Sequence, residues 1–237
     1  MAGGAIGSKL LFWLEDPQLT WHSPHDPAYF VGGKTIVGAL ALGLISVELT
    51  KRYIGLRDST GDLYAIPLAL GIAIGRIGCF LTGLSDNTYG TPTNLPWAVN
   101  FGDGIPRHPT QLYEIIFILA LIPILYRVMN KVALNKAVIL SGASASRSEA
   151  DAESKDPVPA VATTAPAGSS LSFLSGDAFK FFMVAYMSFR LLCDFIKPYP
   201  RILLGLGGIQ WACVVVLLYY SRDVARWLKL PARYQQT

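Results

Sequence analysis

The chain has 237 residues, of which 52% are hydrophobic and 15% charged, with 20 Lys and Arg against 16 Asp and Glu. This apolar content excludes a disordered or collagen-like chain, and 3 cysteines are too few for a secreted module built on disulfides. A soluble domain carries charges on about a quarter of its residues, so the composition indicates a membrane protein.

The apolar residues are concentrated in segments long enough to cross a bilayer, which takes about 20 residues for roughly 30 Å of hydrocarbon. A shorter apolar stretch at 2–14 precedes them and lacks the features of a signal peptide, so we interpret it as part of a helix. The predicted spans are 30–49, 63–84, 110–129, 178–196 and 202–220. We therefore expect an all-α polytopic membrane protein with about five full transmembrane helices and a short N-terminal helix.

Residues 137–176 differ in composition from both flanks, because almost half of them are Ala or Ser. Such a segment buries too little apolar surface to offset its ordering entropy, and it predicts a flexible linker. The chain is thus divided into membrane helices at 1–136 with an outer loop at 85–109, the linker at 137–176, and two helices with a basic tail at 177–237.

The basic residues are distributed unevenly between the two sides of the membrane. Alternate threading of the spans places thirteen of the 20 Lys and Arg on one side and four on the other. Cytoplasmic loops are enriched in Lys and Arg, so the linker and the C-terminus are predicted to be cytoplasmic and the loop 85–109 to face outward. Topology then explains the net charge of +4, and no nucleic-acid partner is expected.

Two arginines lie at matching depth inside predicted spans, where an ionisable group costs about 2.5–3.5 kcal/mol or more and usually lines a cavity or pairs. Arg76 and Arg190 are each roughly 18–20 Å from the cytoplasmic end of their helices. Glu114 lies in the first turns of the next helix, roughly 6 Å below the outer edge. Arg76 has no carboxylate three or four residues away. We therefore predict a site for a lipid phosphate between the two arginines.

Other readings of these residues stay open. Tyr186, Arg190, Asp194 and Lys197 share one helical face, so Arg190 and Asp194 can simply neutralise each other. Gly71, Gly75 and Gly78 indicate close helix packing by default, or a backbone role near the ligand. The 3 cysteines are expected to be small buried residues, although Cys79 beside Arg76 is also a candidate nucleophile. No His, Cys and carboxylate cluster has metal-ligand spacing, so neither metal nor cofactor is expected.

Several motifs resemble the prolipoprotein diacylglyceryl transferases of bacterial plasma membranes. They are Gly75-Arg76-Ile77-Gly78, Leu95-Pro96-Trp97-Ala98, Arg107-His108-Pro109-Thr110-Gln111-Leu112-Tyr113-Glu114, and Tyr186 with Arg190 and Asp194. The resemblance implies a bundle with an outward-facing cap that transfers diacylglycerol from phosphatidylglycerol to a cysteine thiol, releasing glycerol phosphate. It places the two essential arginines of the family at Arg76 and Arg190.

The resemblance also suggests roles for the neighbours of the two arginines. Asp194 would orient Arg190, and Glu114 or His108 would position or deprotonate the nucleophile. For His108, helix capping is an equally good reading. Gly75, Gly78, Gln111, Tyr113 and Tyr186 are the candidate substrate-binding residues.

The chain departs from the family pattern at several positions. The family's catalytic His is Val31 here, two Asn are Cys79 and Thr82, and Asp194 replaces Glu. His22 and His25 are alternative bases or surface histidines. The expected partners are phosphatidylglycerol or a similar anionic phospholipid, and a prolipoprotein with a lipobox. Two other readings stay open, namely transfer to a different acceptor and a non-catalytic relative that binds or transports phospholipid.

Overall fold

The computed structural model of the protein describes residues 2–22, 29, 32–56, 59–152 and 174–228. This part of the chain is mainly helical, with one short hairpin. Its helices are α1 (Ala2–Glu15), α2 (Pro17–His22), α3 (Ile36–Tyr53), α4 (Asp62–Thr82), α5 (Thr110–Ala152), α6 (Asp177–Cys193), α7 (Gly208–Tyr219) and α8 (Ser221–Leu228); 3₁₀ turns lie at Gly83–Asp86 and Asp194–Ile196, and the strands are β1 (Val99–Asn100) and β2 (Pro106–Arg107).

Two helical segments are long and apolar enough to cross a membrane. They are Asp62–Asp86 and Thr110–Leu134, and they agree with the predicted spans at 63–84 and 110–129. The other three predicted spans coincide with α3, α6 and α7, of which α7 is an apolar helix of only 12 residues. The fold is thus that of a helical membrane protein, and the number of five spans stays a prediction.

The segment predicted to span at 202–220 does not begin as a helix. Leu204 and Gly205 have φ values of 50° and 74°, in the left-handed region that an α-helix of L-residues cannot continue through. A tight turn therefore joins Leu203 to Leu206, and α7 starts only at Gly208.

The predicted linker also differs from expectation in its first part. α5 continues to Ala152, so residues 137–152 are helical rather than irregular. Alanine has the highest helix propensity, and no proline follows Pro123 until Pro157. The rest of the predicted linker before Leu174 lies outside the described residues.

Helix α6 occupies the centre of the bundle and packs against α4, α5 and α7. Its inward face is fully buried through Phe182, Met183, Tyr186 and Met187. The facing side of α4 carries small residues at four-residue spacing, and small residues allow membrane helices to approach closely. These residues are Ala65, Ala69 and Ala73.

The glycines of α4 are not the residues that pack. A Cβ added at Gly71, Gly75 or Gly78 would meet nothing within 4 Å in the described structure. The default interpretation of this series as a helix contact is therefore wrong. The alanines face the core, whereas the glycines lie on the opposite, exposed side of the same helix.

Helix α1 confirms the predicted short N-terminal helix and lies against α3. The two helices approach so closely that a Cβ at Gly7 would lie 2.3 Å from the carbonyl oxygen of Gly38. At its other end α1 reaches the start of α7, where a Cβ at Gly208 would lie 2.7 Å from the carbonyl oxygen of Leu14. This contact places Glu15 beside α7.

The loop after α4 docks onto the end of α6. Antiparallel β1 and β2 form a hairpin, and the Asn100 side chain accepts N–H bonds from Gly102 and Gly104 in its turn. The backbone N–H of Thr91 donates to the carbonyl of Ile196 at 2.8 Å. The loop thus covers the end of α6 that carries Arg190.

The opposite end of α6 is held by a group of charged residues, which we call the capping cluster (Asp62, Asp177, Lys180, Asp223 and Arg226). The Asp62 carboxylate accepts backbone N–H bonds from Gly176, Ala178 and Phe179 at 2.6, 3.0 and 3.2 Å. These are the donors that the start of a helix leaves unpaired. Asp177 pairs with Arg226 at 2.6 Å, and Lys180 with Asp223 at 2.8 Å.

Candidate functional site

Three helices bring five of the predicted site residues together. Arg76 comes from α4, Glu114 from α5, Tyr186 and Arg190 from α6, and Asp194 from the 3₁₀ turn after α6. We call this group the arginine cluster.

Glu114 is the central acceptor of the arginine cluster. Its Oε2 lies 2.9 Å from Nε of Arg76 and 3.1 Å from Nη1 of Arg190. Its Oε1 accepts a 2.6 Å hydrogen bond from the Tyr186 hydroxyl. Asp194 holds the other side of Arg190, with Oδ1 at 3.0 Å from Nη2. The carboxylate of α5 therefore fixes the position of both guanidinium groups.

This arrangement corrects one step of the sequence argument. Arg76 is not left without an acid, because Glu114 supplies a carboxylate from another helix. Arg76, Glu114 and Arg190 are 5%, 1% and 3% exposed, so all three charges are buried. Buried ions are tolerated when they are paired and hydrogen-bonded. Local spacing along one helix could not reveal a pairing between helices.

The arginine cluster still has polar groups without a partner among the described residues. Neither amide atom of Gln111 has a hydrogen bond, although the residue is 1% exposed, and none is formed by Nε of Arg76, Nε of Arg190 or the two carboxylate oxygens of Asp194, whose contacts are ion pairs. Nη1 of Arg76 has only the sulfur of Cys79 at 3.8 Å. Buried polar groups are normally satisfied, so these unused donors and acceptors indicate a place for a polar ligand.

The remaining candidates, in and beside the loop 85–109, form a separate polar group. Nδ1 of His108 lies 3.1 Å from the Tyr113 hydroxyl, which also accepts a 2.8 Å bond from Nε1 of Trp97. The backbone of His108 bonds to Gly90 and Thr91 of the outer loop. Tyr113 and Glu114 are neighbours in sequence, but Tyr113 hydrogen-bonds to residues in the loop 85–109, whereas Glu114 pairs with the two arginines.

Other positions named from the sequence lie away from the ion pairs. Gly75 and Gly78 are on the exposed side of α4. Cys193 and Cys213 are buried, as expected, Cys79 is half-buried, and all three are free thiols. His22 is exposed and bonds to the carbonyl of Gln18. Val31 and His25 lie outside the described residues.

Two titratable residues beside Asp194 were not predicted as site residues. Lys197 is 3% exposed, and its Nζ lies 3.7 Å from Oδ1 of Asp194. Burial and the neighbouring Arg190 lower the pKa of Lys197 to about 8. The helical face shared with Arg190 and Asp194 was the sequence signal for Lys197.

Glu15 reaches the other side of Asp194 from the end of α1. The two carboxylates line one small cavity together with Tyr199, Arg201 and Gln210. Oε1 of Glu15 is buried and has no hydrogen-bond partner in the described structure. Burial and then the charge of Asp194 raise the pKa of Glu15 to about 7. In sequence it looks like an ordinary charged helix end.

No group of three or more His, Cys, Asp or Glu suited to a metal ion is present in the residues that the structure describes. The arginine cluster is a buried group of guanidinium and carboxylate side chains within a helical membrane protein.

Comparison with known proteins identifies the family to which the chain belongs. The model of the prolipoprotein diacylglyceryl transferase family matches residues 1–146, more than half of the chain, and the protein belongs to that family. The match includes Arg76 and Glu114, whereas Arg190 and Asp194 lie beyond its end. Arg190 contacts the matched part directly through its ion pair with Glu114.

Curated relatives named phosphatidylglycerol–prolipoprotein diacylglyceryl transferase cover part of the chain. The protein of Bordetella parapertussis is 38% identical over 120 residues, 48% of this chain and 43% of the relative. The protein of Pasteurella multocida is 35% identical over 120 residues, which are 48% of this chain and 42% of that relative. That of Clostridium tetani is 38% identical over 124 residues, 48% of each chain. The chain thus matches less than half the length of these relatives. No solved structure matches it.

Proposed function

We propose that the protein transfers the diacylglyceryl group of phosphatidylglycerol to the cysteine thiol of a prolipoprotein in the bacterial plasma membrane. The observation that carries the proposal is the convergence of Arg76 and Arg190 on Glu114. It supports a site for a phosphate within a family whose curated members are named for this reaction. The unpartnered Gln111 amide next to it supports a ligand with hydrogen-bonding oxygens.

In the proposed reaction the thiolate sulfur attacks the glycerol carbon that bears the phosphate ester. A carbon–sulfur bond forms, the carbon–oxygen bond breaks, and glycerol phosphate leaves with the bonding electrons. Arg76 and Arg190 would stabilise the charge that develops on this phosphate, and fixed donors in a dry site do so most strongly. Asp194 would keep Arg190 oriented.

We propose that Glu114 holds the two arginines in position and does not act as a base. Its oxygens accept hydrogen bonds from Nη1 of Arg190 and the Tyr186 hydroxyl, and Oε2 also forms an ion pair with Arg76, so little basicity is left to take a proton from a thiol. Tyr186 would act by orienting Glu114. His108 and Tyr113 would border the entry from the outer loop, where Gly75 and Gly78 leave an open helix surface.

The finer topology belongs to the same proposal. α3, α6 and α7 would join the two long apolar segments as membrane spans, with the linker and C-terminus in the cytoplasm. The excess of Lys and Arg on that side supports this orientation. The arginine cluster would then lie in the outer half of the bilayer, within reach of outer-leaflet phospholipid.

The alternative function is phospholipid binding without transfer. It is favoured by the replacements in α4, since the Thr82 hydroxyl is used on the backbone carbonyl of Gly78 and the Cys79 sulfur contacts Arg76. A base at the position of Val31 is also absent from the sequence.

Purified protein, labelled phosphatidylglycerol and a lipobox peptide separate the two functions. We expect lipidated peptide from the natural chain, and an approximately 100-fold or greater loss in Arg76→Ala and Arg190→Ala. Arg52→Ala, an exposed arginine at the end of α3, is the matched control and should keep full activity. Tight lipid binding with no product in the natural chain would refute the transferase and support the alternative.

A further inference from the structure

Lys197 is a buried amine with weak partners at the edge of the arginine cluster. Its contact with Asp194 is 3.7 Å long, beyond an ordinary hydrogen bond, and Oδ1 of Asp194 is already 3.0 Å from Arg190. The ring centre of Tyr199 lies 5.5 Å from its Nζ. A lysine that is 3% exposed is therefore held without a strong acceptor of its own.

Charged or titratable side chains from several elements surround Lys197. Arg190 and Asp194 come from the end of α6, Arg76 from α4, Glu114 from α5, Glu15 from the end of α1 and Tyr199 from the following loop. Arg76, Arg190 and a protonated Lys197 face the Glu114 and Asp194 carboxylates, and Glu15 adds a third carboxylate when it is ionised. Desolvation and the two guanidinium groups thus favour the neutral amine, and the pKa of Lys197 is lowered to about 8.

Lys197 differs from the other site residues in what it can do with a proton. Arginine stays protonated in proteins, whereas a buried lysine can lose its proton and act as a base. Glu114 is committed to two arginines, and the His108 ring bonds to Tyr113 toward the outer loop. Lys197 differs from these residues because its amine lies beside Asp194 but has no acceptor at hydrogen-bond distance among the described residues.

We propose that Lys197 is the proton-exchanging residue of the transfer reaction, an inference that rests on the proposed function. The neutral amine takes the proton of the cysteine thiol, and the thiolate attacks the glycerol carbon as the carbon–oxygen bond breaks. The ammonium then returns that proton to the departing glycerol phosphate. No other reactant is required, because the thiol proton ends on the leaving group.

Chemical matching supports this role. A free thiol has a pKa of about 8.5, and a base is most effective when its own pKa is close to that of its partner and to the working pH. Lys197 also occupies the position where bound phosphate would stabilise its protonated form, since an anion at the two arginines adds negative charge nearby. Binding of the lipid should therefore be coupled to partial uptake of a proton, and the fraction of the lipid complex in which Lys197 stays neutral is the form that accepts the thiol proton.

Proton uptake on lipid binding tests the proposal without requiring turnover. Dioctanoyl phosphatidylglycerol is titrated into the detergent-solubilised full chain at pH 8 by calorimetry, in buffers of different ionisation enthalpy. We expect the natural chain to take up as much as about half a proton per lipid. Lys197→Arg should bind the lipid with unchanged affinity within about twofold and take up none. Lys180→Arg, a half-buried lysine of the capping cluster, should behave like the natural chain.

The peptide transfer assay supplies the second measurement. We expect Lys197→Arg to slow transfer by about 100-fold, the usual size of a general-base effect. Lys197→Gln serves as a second variant if thermal unfolding shows that the arginine side chain disturbs the fold. Unchanged proton uptake in both variants, or transfer at the natural rate in Lys197→Arg, would overturn the proposal and make Lys197 a fixed charge. Absence of transfer in the natural chain would instead refute the proposed function, while the calorimetry still reports on Lys197.

Discussion

The two ends of α6 carry two charged clusters that are built in opposite ways. In the capping cluster three carboxylates face two basic side chains, and Lys180 and Arg226 are each about one-third exposed. In the arginine cluster, with Lys197 included, three basic side chains face the Glu114 and Asp194 carboxylates and all five are buried, and half-buried Glu15 adds a third carboxylate only above its pKa of about 7. The capping cluster thus has a surplus of negative charge that is accessible to water, whereas the arginine cluster has a surplus of positive charge that is shielded from water.

This difference is the one expected between a structural cluster and the proposed ligand-binding site. The acids of the capping cluster have their partners within the protein, since Asp62 bonds three backbone N–H groups and Asp177 bonds Arg226 and Trp227. The arginine cluster instead keeps an unpartnered Gln111 and part of Arg190 unbonded. Because a buried excess of positive charge is costly, the second cluster should gain stability from an anion.

Removal of the central acid of each cluster should give the largest contrast. Glu114→Ala leaves two buried guanidinium groups without their shared acceptor, and we expect a loss of about 3–5 kcal/mol in the free energy of unfolding. Asp177→Ala should cost less, about 1–3 kcal/mol, because water can solvate the released Arg226. Denaturant unfolding in one detergent measures both. Equal losses in the two variants would contradict the distinction between the clusters.

The pH dependence of stability should come from the Arg190 end of α6. Glu15 has its pKa raised from 4.5 to about 7, so the folded state binds more protons there and stability falls as pH rises between these values. Lys197 has its pKa lowered from 10.5 to about 8, so stability rises with pH across that window, by about 3 kcal/mol at most.

Unfolding measured from pH 4 to pH 9 should therefore show a minimum near pH 7–8. Glu15→Gln should remove the fall on the acid side, and Lys197→Met the rise on the alkaline side. Asp16→Asn removes a neighbouring charge that is only a minor cause of the raised pKa of Glu15 and keeps an acceptor for the N–H of Leu19, so it should shift the acid-side fall only slightly. A profile that is flat in the natural chain would be inconsistent with these buried groups.

Gln111 should have the smallest effect on the folded protein and a clear effect on its ligand. Its amide has no hydrogen bond to lose, so Gln111→Leu should be neutral or slightly stabilising. If the amide binds the lipid phosphate or glycerol, the same change should weaken binding of phosphatidylglycerol by about 1–3 kcal/mol, or roughly 10–100-fold. Thermal unfolding and calorimetry distinguish the two effects. Lost stability with unchanged affinity would make Gln111 a packing residue.

The sequence was informative wherever depth in the membrane constrained a residue. Arg76 and Arg190 were predicted at one level from their distances along two helices, and the structure brings both to Glu114. Helical spacing likewise placed Tyr186, Arg190 and Asp194 on one face. Such arguments depend only on the rise per residue of a helix.

Contacts between helices were less predictable because they depend on rotation about the helix axis. The acid that pairs with Arg76 comes from α5, and no spacing within α4 reveals it. For the same reason the sequence could not decide whether alanines or glycines of α4 face the core. Glu15 was overlooked because only the packing of α1 against the start of α7 brings it to Asp194.

The Asp62 cap has a consequence for how the two parts of the polypeptide are joined. Asp62 belongs to the part matched by the family model, and its three N–H donors belong to the segment after the Ala-rich stretch. Glu114 and Arg190 repeat this connection at the other end of α6. The register between the two parts is thus set noncovalently at both ends of one helix, so neither the length nor the sequence of the connecting stretch has to specify it.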